Sequence, residues 1–420
     1  MSDSVEFYQQ QVHLGISKMP WLLHLQEKAL QEFKREGFPT RHHEDWKYTS
    51  VESFLSHRFV FNKDTSLNPT PKKRNIPIDH YSLPIMNGIF SGATSELPSG
   101  VVILPITQAL EQMPDKLEPY LGQILKQENA FHSLNTAMPQ QGLFIYIPAN
   151  ICLEKPLWLS HWQDKEEQAV NLRHLVVMEA GAQATIIEDY TGSSSICYFT
   201  NTITEVSLAP KATLTHYKIQ CESKQAYHVG HIAVRQAMKS QFNSHALALG
   251  GKWVRSDITI DLIEPGADCL MNGIYVPNEE QHIDHHTLVA HRAPDCQSAQ
   301  NYKGILNGKS RAVFNGRVVV AEGAQHTKAT QQNKNLLLSA HAEIDTKPQL
   351  EIFADDVTCT HGATVGQLDD EALFYLATRG IAREEASHYL INAFINENIK
   401  LFANEKLATW IGNLLNEQLG

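Results

Sequence analysis

The sequence predicts a mainly β protein, with a strand-rich core over about 142–364 between helical regions at 1–141 and 365–420. Three observations predict it. From Gly142 to His361, runs of Val, Ile, Thr, Tyr and Phe alternate with polar residues, and no helix-length periodic segment interrupts them. Turn-like segments recur at Glu179-Ala180-Gly181-Ala182, Ala209-Pro210-Lys211-Ala212, Glu264-Pro265-Gly266-Ala267 and Ala321-Glu322-Gly323-Ala324. At both ends, apolar residues return to spacings of three and four.

Taken in order, residues 3 to about 60 read as helix. Trp21, Leu22, Leu25, Ala29, Leu30 and Phe33 form one face, and Gly37-Phe38-Pro39 stops it. Residues 61–85, rich in Pro, Lys, Asn and Ser, read as an extended linker. Short helices are expected at Ile106–Gln112, Tyr120–Gln127 and Ala130–Ala137. Strands follow at His174–Met178, Thr185–Ile187, Thr202–Leu208 and Val318–Val320. In another, Ile258, Ile260 and Leu262 alternate with Asp257, Thr259 and Asp261. The third residues of the turn segments fall at 181, 211, 266 and 323, in steps of 30, 55 and 57. The last two steps are close to twice the first, which fits stacked coils of about 28 residues with some turns lacking the marker. The pattern alone leaves a β-solenoid and a β-sandwich open. Asp369 or Asp370 caps a helix over Glu371–Thr378, with Gly380 at its end. A second helix carries Ala386, Tyr389, Leu390, Ala393 and Phe394 as its apolar stripe, and a third covers Asn404–Leu415.

Composition removes several classes of function. Hydrophobic residues make up 42% and charged residues 19%, ordinary for a globular chain. A net charge of −11 argues against a nucleic-acid surface, and Lys72-Lys73-Arg74 is too short to be one. No apolar run approaches the roughly 18 residues of a membrane helix. Met1 to Glu6 lacks the features of a signal peptide, so a cytoplasmic protein is expected. The six cysteines (152, 197, 221, 269, 296, 359) include no C-x-x-C pair, which disfavours a disulfide framework or zinc ribbon.

Five constellations invite chemistry. A strand through Phe353–His361 would set Phe353, Asp355, Val357, Cys359 and His361 on one face, with Cys359 and His361 roughly 7 Å apart. Spacing alone fits a core cysteine and a hydrogen-bonded histidine, yet a thiolate and an imidazole so placed can also share a metal or cluster. His282-x-x-His285-His286-x-x-x-x-His291, with Asp284, Asp295 and Cys296, suggests zinc. On a strand, however, Asp284 and His286 share a face and His285 points away. Gly304-Ile305-Leu306-Asn307-Gly308-Lys309-Ser310 imitates a P-loop with one residue too few, and a strand follows where a helix is needed. Glu44-x-Trp46-x-Tyr48 reads as aromatic packing. The C-terminal stripe reads as packing, with a docking face as the rival. No nucleophile elbow, H-E-x-x-H or G-x-G-x-x-G is present.

The stretch Ala342–Thr346, Lys347-Pro348-Gln349-Leu350, Phe353–Val357 and Cys359-Thr360-His361-Gly362-Ala363-Thr364-Val365-Gly366 resembles the C-terminal signature of the SufB/SufD family of iron–sulfur cluster assembly scaffolds. Tyr302–Leu306 and Val313–Arg317 extend the likeness, and Arg41–Thr49 is similar to the family's Glu-x-Trp-x-Tyr-Thr element. It is dense from about Gly266 to Phe394 and thin from Phe59 to Gly142. Compact length and the N-terminal helix favour the SufD branch.

The resemblance implies a right-handed parallel β-helix core. It implies a scaffold rather than an enzyme, which pairs with SufB and recruits the ATPase SufC, whose ATP cycle shifts the two scaffold subunits. A transient iron–sulfur cluster forms at the SufB interface, none being held tightly by this chain alone. His361 becomes the expected cluster ligand, with Cys359 as its neighbour. Within Asp370–Phe394, Leu373, Leu376, Tyr389 and Phe394 become candidates for SufC contact. Rival readings are a SufB-type scaffold holding the cluster itself, a homodimer with a structural role, and a β-helix carbohydrate-active enzyme. The last lacks a visible pair of carboxylates.

Overall fold

The computed structural model describes residues 2–12, 19–61, 74–125, 129–139 and 141–419. The core is a β-solenoid of two ten-stranded sheets, in which successive strands from Leu143–Ile147 onward fall alternately in one sheet and the other. Pairing is parallel throughout, except where Ile89–Phe90 and Val102–Pro105 join the sheets at the upstream end. Strands at Tyr81–Met86 and Val102–Pro105 thus extend the sheets upstream of residue 142. Phe199 pairs with Tyr227, an offset of 28, and Trp253 with His282, an offset of 29.

The coils stack through a ladder of left-handed turn residues. Gly181, Lys211, Lys239, Gly266, Asp295 and His326 all have φ between 55° and 73°. Each donates its backbone N–H to the next turn: Gly181 to Pro210 O at 3.0 Å, Lys211 to Met238 O at 2.9 Å, Gly266 to Pro294 O at 3.2 Å. Lys239 and Asp295 are the unmarked turns that doubled the sequence steps. In the Ala321–Thr327 turn, His326 rather than Gly323 takes the left-handed position, because this turn is longer.

Both outer faces are covered. The helix Pro20–Glu36 runs as its periodicity predicted, burying Leu22, Ala29, Leu30 and Phe33. The helix Ala130–Ala137 matches its expected bounds. Tyr8, Phe38, Trp46, Phe54 and Phe131 form an aromatic layer on Phe199, Tyr227 and Trp253 of the first sheet. Residues 3–60 are not one helix, however. The helix Ser2–Gln11 is separate, and beyond Gly37 only a 3-10 turn at Glu44–Trp46 and a short helix at Glu52–Leu55 remain, because these aromatics must reach the sheet. Of the expected 61–85 linker, residues 62–73 lie outside the described residues, and Tyr81–Met86 is strand. Ile106–Gln112 is helical as expected; 120–125 forms turns instead, with Glu205 accepting from the N–H groups of Gly122, Ile124 and Leu125, and 126–128 lie outside the described residues.

The second sheet is covered by C-terminal helices at Asp370–Ala377, Arg383–Ile399 and Glu405–Leu419. Ile391, Ile395, Phe402, Leu407, Ile411 and Leu415 pack on Ile219, Leu247, Ile274 and Ile305. The middle helix is rotated from its expected stripe: Tyr389 and Ala393 are exposed, while Ile391, Ile395 and Asn398 are buried. Asn398 fixes that rotation by donating to Asn272 Oδ1 at 2.6 Å and to Asn301 O at 2.9 Å. Among the described residues, no helix is long and apolar enough to cross a membrane.

Candidate functional site

The last rung consists of Glu343–Ile352 in the first sheet and Thr358–Gly366 in the second. Each is the edge strand of its sheet, paired on one side only. Most of their residues are exposed or half-buried, because no further coil covers them.

Cys359 and His361 lie two apart on the final strand and so share a face. Cys359 aligns with Ala329 and His361 with Gln331, both buried residues of the preceding rung, so both side chains continue inward-facing columns. Cys359 is half-buried against the small cluster of Val318, Val320, Ala329 and Ala354. Burial pushes its thiol pKa up, outweighing a backbone hydrogen bond at Ala329. His361 is exposed. The expected continuous strand from Phe353 does not form. Residues 353–357 are the turn between the sheets, held by Phe353 N–H to Val320 O at 2.9 Å and by Asp356 N–H to Gln325 Oε1 at 2.9 Å. Phe353 is 65% exposed as a result. Ile352 and Val365 are exposed apolar neighbours on the same rung.

The C-terminal candidates divide. Asp369 caps the helix Asp370–Ala377 by accepting from Glu371 and Ala372 N–H, and Gly380 (φ 82°) lies just beyond it. Leu373 points inward and is buried, and Leu376 is half-buried. Phe394 is half-buried, with its carbonyl accepting from Lys303 Nζ at 2.5 Å. Tyr389 is exposed, its hydroxyl donating to Glu385 at 2.7 Å. In the C-terminal helices the most exposed aromatics are Phe374 at 71% and its neighbour Tyr375. The sequence reading passed over both, although their place opposite the buried Leu373 marks the outer face of the helix.

The histidine-rich strand His282–His291 splits its side chains between two faces, as alternation required. Asp284 faces outward, where Thr49 Oγ1 donates to it at 2.5 Å, Arg255 Nη1 at 2.7 Å, and His286 Nε2 stands 3.1 Å away. Burial raises the Asp284 pKa, but Arg255 and His286 outweigh it and hold the carboxyl well below the usual carboxylate range. His285 faces inward between the Tyr275 and Tyr302 rings. His291 also faces inward, 2.8 Å from Ser298 Oγ. The Arg41–Thr49 segment docks on this strand's outer face. Trp46 stacks on Trp253 and against the Arg255 guanidinium, Arg255 donates to Asp45 O at 2.8 Å, and Lys347 pairs with Glu44 at 2.7 Å. Two motifs that sequence kept apart are thus one packing unit. Gly304–Ser310 runs from a strand end through a turn into the strand Arg311–Val320, with no helix following.

One feature had no sequence signal: the solenoid interior is polar in its middle coils. Glu188 accepts from the Tyr190 hydroxyl at 2.5 Å and from Thr204 at 2.8 Å, with His216 Nε2 3.0 Å away. Glu222 lies 2.7 Å from His228 Nδ1 and accepts from Thr200 at 2.6 Å. Lys218 is buried between these groups, and its pKa is lowered by burial. A Cβ at Gly230 would crowd both Lys218 Nζ and His228 Nε2.

Comparison with known proteins gives this rung its context. The SufBD core domain of the SUF iron–sulfur cluster assembly system matches residues 161–394, and the SufBD N-terminal region matches residues 3–159. The chain is 32% identical over 389 residues to the iron–sulfur cluster assembly protein SufD of Escherichia coli, covering 91% of this chain and 89% of that one. It is 33% identical over 374 residues to a SufBD family iron–sulfur cluster assembly protein of Synechocystis, covering 86% and 83%. Identity to SufD of Bacillus subtilis is 28% over 304 residues, covering 70% and 69%. With both family regions matched along nearly its whole length, on a β-solenoid flanked by helices, the chain belongs to the SufBD family of iron–sulfur cluster assembly proteins.

Proposed function

We propose that this chain is a SufD-like scaffold subunit, working in the cytoplasm, that pairs with a SufB-type partner across its last rung and docks the ATPase SufC on its C-terminal helices. The observation that carries this reading is the uncovered rung. Two strands of 10 and 9 residues present free backbone edges, flanked by exposed Ile352, Phe353 and Val365. Such an edge attracts another chain unless blocked. Pairing here satisfies the backbone groups and encloses His361 with Cys359 at the joint.

The nascent cluster is the cargo of this joint. One imidazole and one thiol do not fill a cluster's ligand set, so the partner supplies the rest. His361 is the better ligand, being exposed, while the raised pKa of Cys359 disfavours the thiolate that binds metal. The chain is not a catalyst alone. SufC's ATP cycle moves the two scaffold subunits relative to each other and so opens or closes the joint. Exposed Phe374, Tyr375 and Tyr389, with Leu376 at their margin, supply the apolar face for SufC. Leu373 and Phe394 support that face from beneath.

Anaerobic reconstitution with iron and sulfide, read by visible absorption, tests this. Cluster absorption is expected with SufB present and not with this chain alone. Absorption from the chain alone would favour a SufB-type scaffold, and an apo homodimer closing the edge would be the resting form in isolation. His361→Ala is expected to lower the cluster yield of the complex with its circular dichroism unchanged. Unchanged yield removes His361 from the site.

A further inference from the structure

A second group of potential ligands lies away from the last rung. His132 is in the helix Ala130–Ala137, while His231 and Asp257 are register partners on adjacent strands of the first sheet, beneath that helix. One ligand atom from each lies within 4.8 Å of the other two, and this is the only such trio among the described residues. His132 and His231 are buried, and Asp257 is nearly so.

Several features suit a metal. His132 Nε2 and His231 Nδ1 stand 3.0 Å apart. Two imidazole nitrogens bound cis to an octahedral ion, each at about 2.1 Å, would be separated by about 3.0 Å. His231 Nε2 lies 2.9 Å from Thr259 Oγ1, an outer contact of the kind that fixes the ring of a metal-bound histidine. Asn129 Nδ2 is 3.3 Å from His132 Nε2 and caps the helix that carries it. Arg255 Nε donates to Asp257 Oδ1, leaving Oδ2 for an ion. Burial, then Arg255 and Arg173, push the His231 pKa down to about 3, and burial holds that of His132 well below its ordinary value. Both rings are therefore neutral; ligation displaces their shared hydrogen bond and the Asn129 contact, and moves the shared proton to a far ring nitrogen. Asp257 is the carboxylate that offsets an added positive charge, while Arg255, Arg173 and Lys218 oppose it. Asp257 lines a cleft of about 420 Å³ together with Asn129, Ser133 and Arg255, and His231 and Asp257 line a smaller cavity of about 70 Å³.

We infer that His132, His231 and Asp257 form a binding site for a divalent first-row transition ion, of the class of Zn²⁺ or Fe²⁺, that pins the helix Ala130–Ala137 to the first sheet. Two imidazoles and a carboxylate are a donor set such ions accept with positions left for water. Without metal, the two rings share a hydrogen bond; the ion replaces it and joins the N-terminal region to the solenoid through three ligands.

The test uses the full chain carrying Cys359→Ser and His361→Ala, so that the last rung contributes no ligand. After chelator treatment it is titrated with Co²⁺, then Zn²⁺. Expected results are one equivalent of Co²⁺ with visible d–d absorption, its displacement by Zn²⁺, and a higher melting temperature with metal. His132→Gln and His231→Gln should each weaken binding by about tenfold or more. Absence of both the Co²⁺ bands and the melting shift overturns the site, as does undiminished binding in both variants. Should a variant not fold, X-ray absorption of the Zn²⁺-loaded chain decides: two imidazoles in the first shell support the site, and none or one overturns it. Because the last rung is disabled throughout, the outcome is separate from that of the cluster experiment.

Discussion

Arg255 Nη1 donates to Asp284 Oδ2 across 2.7 Å, and neither side chain is more than 3% exposed. This pair joins two neighbouring coils and is also where the Arg41–Thr49 segment anchors, through Thr49 and Asp45. Removing the charge of Asp284 leaves a buried guanidinium with Asp257 as its remaining carboxylate. Asp284→Asn is expected to destabilise the protein by about 3–5 kcal/mol in denaturant unfolding. Thr49→Ala, which deletes one hydrogen bond to the same carboxylate, should cost only about 1–3 kcal/mol.

Acid should weaken the fold before carboxylates begin to protonate. Burial pushes the pKa of His245, His285 and His291 down to about 4, against about 6.5 in the unfolded chain. Between those values the unfolded state binds more protons, so stability falls as pH is lowered from 6.5 towards 4. Each such histidine contributes a slope of about 1.4 kcal/mol per pH unit in that window. Denaturant midpoints at pH 7.5, 6 and 5 check this. A flat profile would mean these rings are not held neutral in the fold.

Phe374→Asp should weaken capture of SufC by about tenfold or more without changing the melting temperature, since the ring is 71% exposed. Leu373→Asp, at a buried position of the same helix, should instead lower stability as well as capture. Equal effects in both assays for the two variants would rule out a docking role distinct from packing.

The coil architecture was legible because its turns carry a backbone requirement. Gly181, Lys211 and Gly266 were found, and each adopts the left-handed conformation. Lys239 and Asp295 adopt the same backbone with no glycine to mark it, and a longer turn moved the position from Gly323 to His326. The pairing of Cys359 with His361 on one face followed from period two and holds, whereas the strand expected through Phe353–Val357 is a turn between sheets. The polar interior was hidden for a different reason. Alternation identifies two faces but not which is inner, and with helices covering the outside, both faces of many strands are buried. Glu188, Lys218 and His216, which point inward, therefore carried no signal of their place. The docking of Arg41–Thr49 on Asp284 bridges more than 230 residues, a separation no local pattern reports.

Because each coil is bonded only to its neighbours, the stack behaves like a zipper whose open end is Glu343–Gly366. Amide protons there should exchange with deuterium faster than those of Tyr227–Gln236 in the interior, and should slow sharply once a partner chain closes the end. Fraying and assembly are then opposite directions of a single equilibrium, so partner concentration sets how much of the final coil is ordered at any moment.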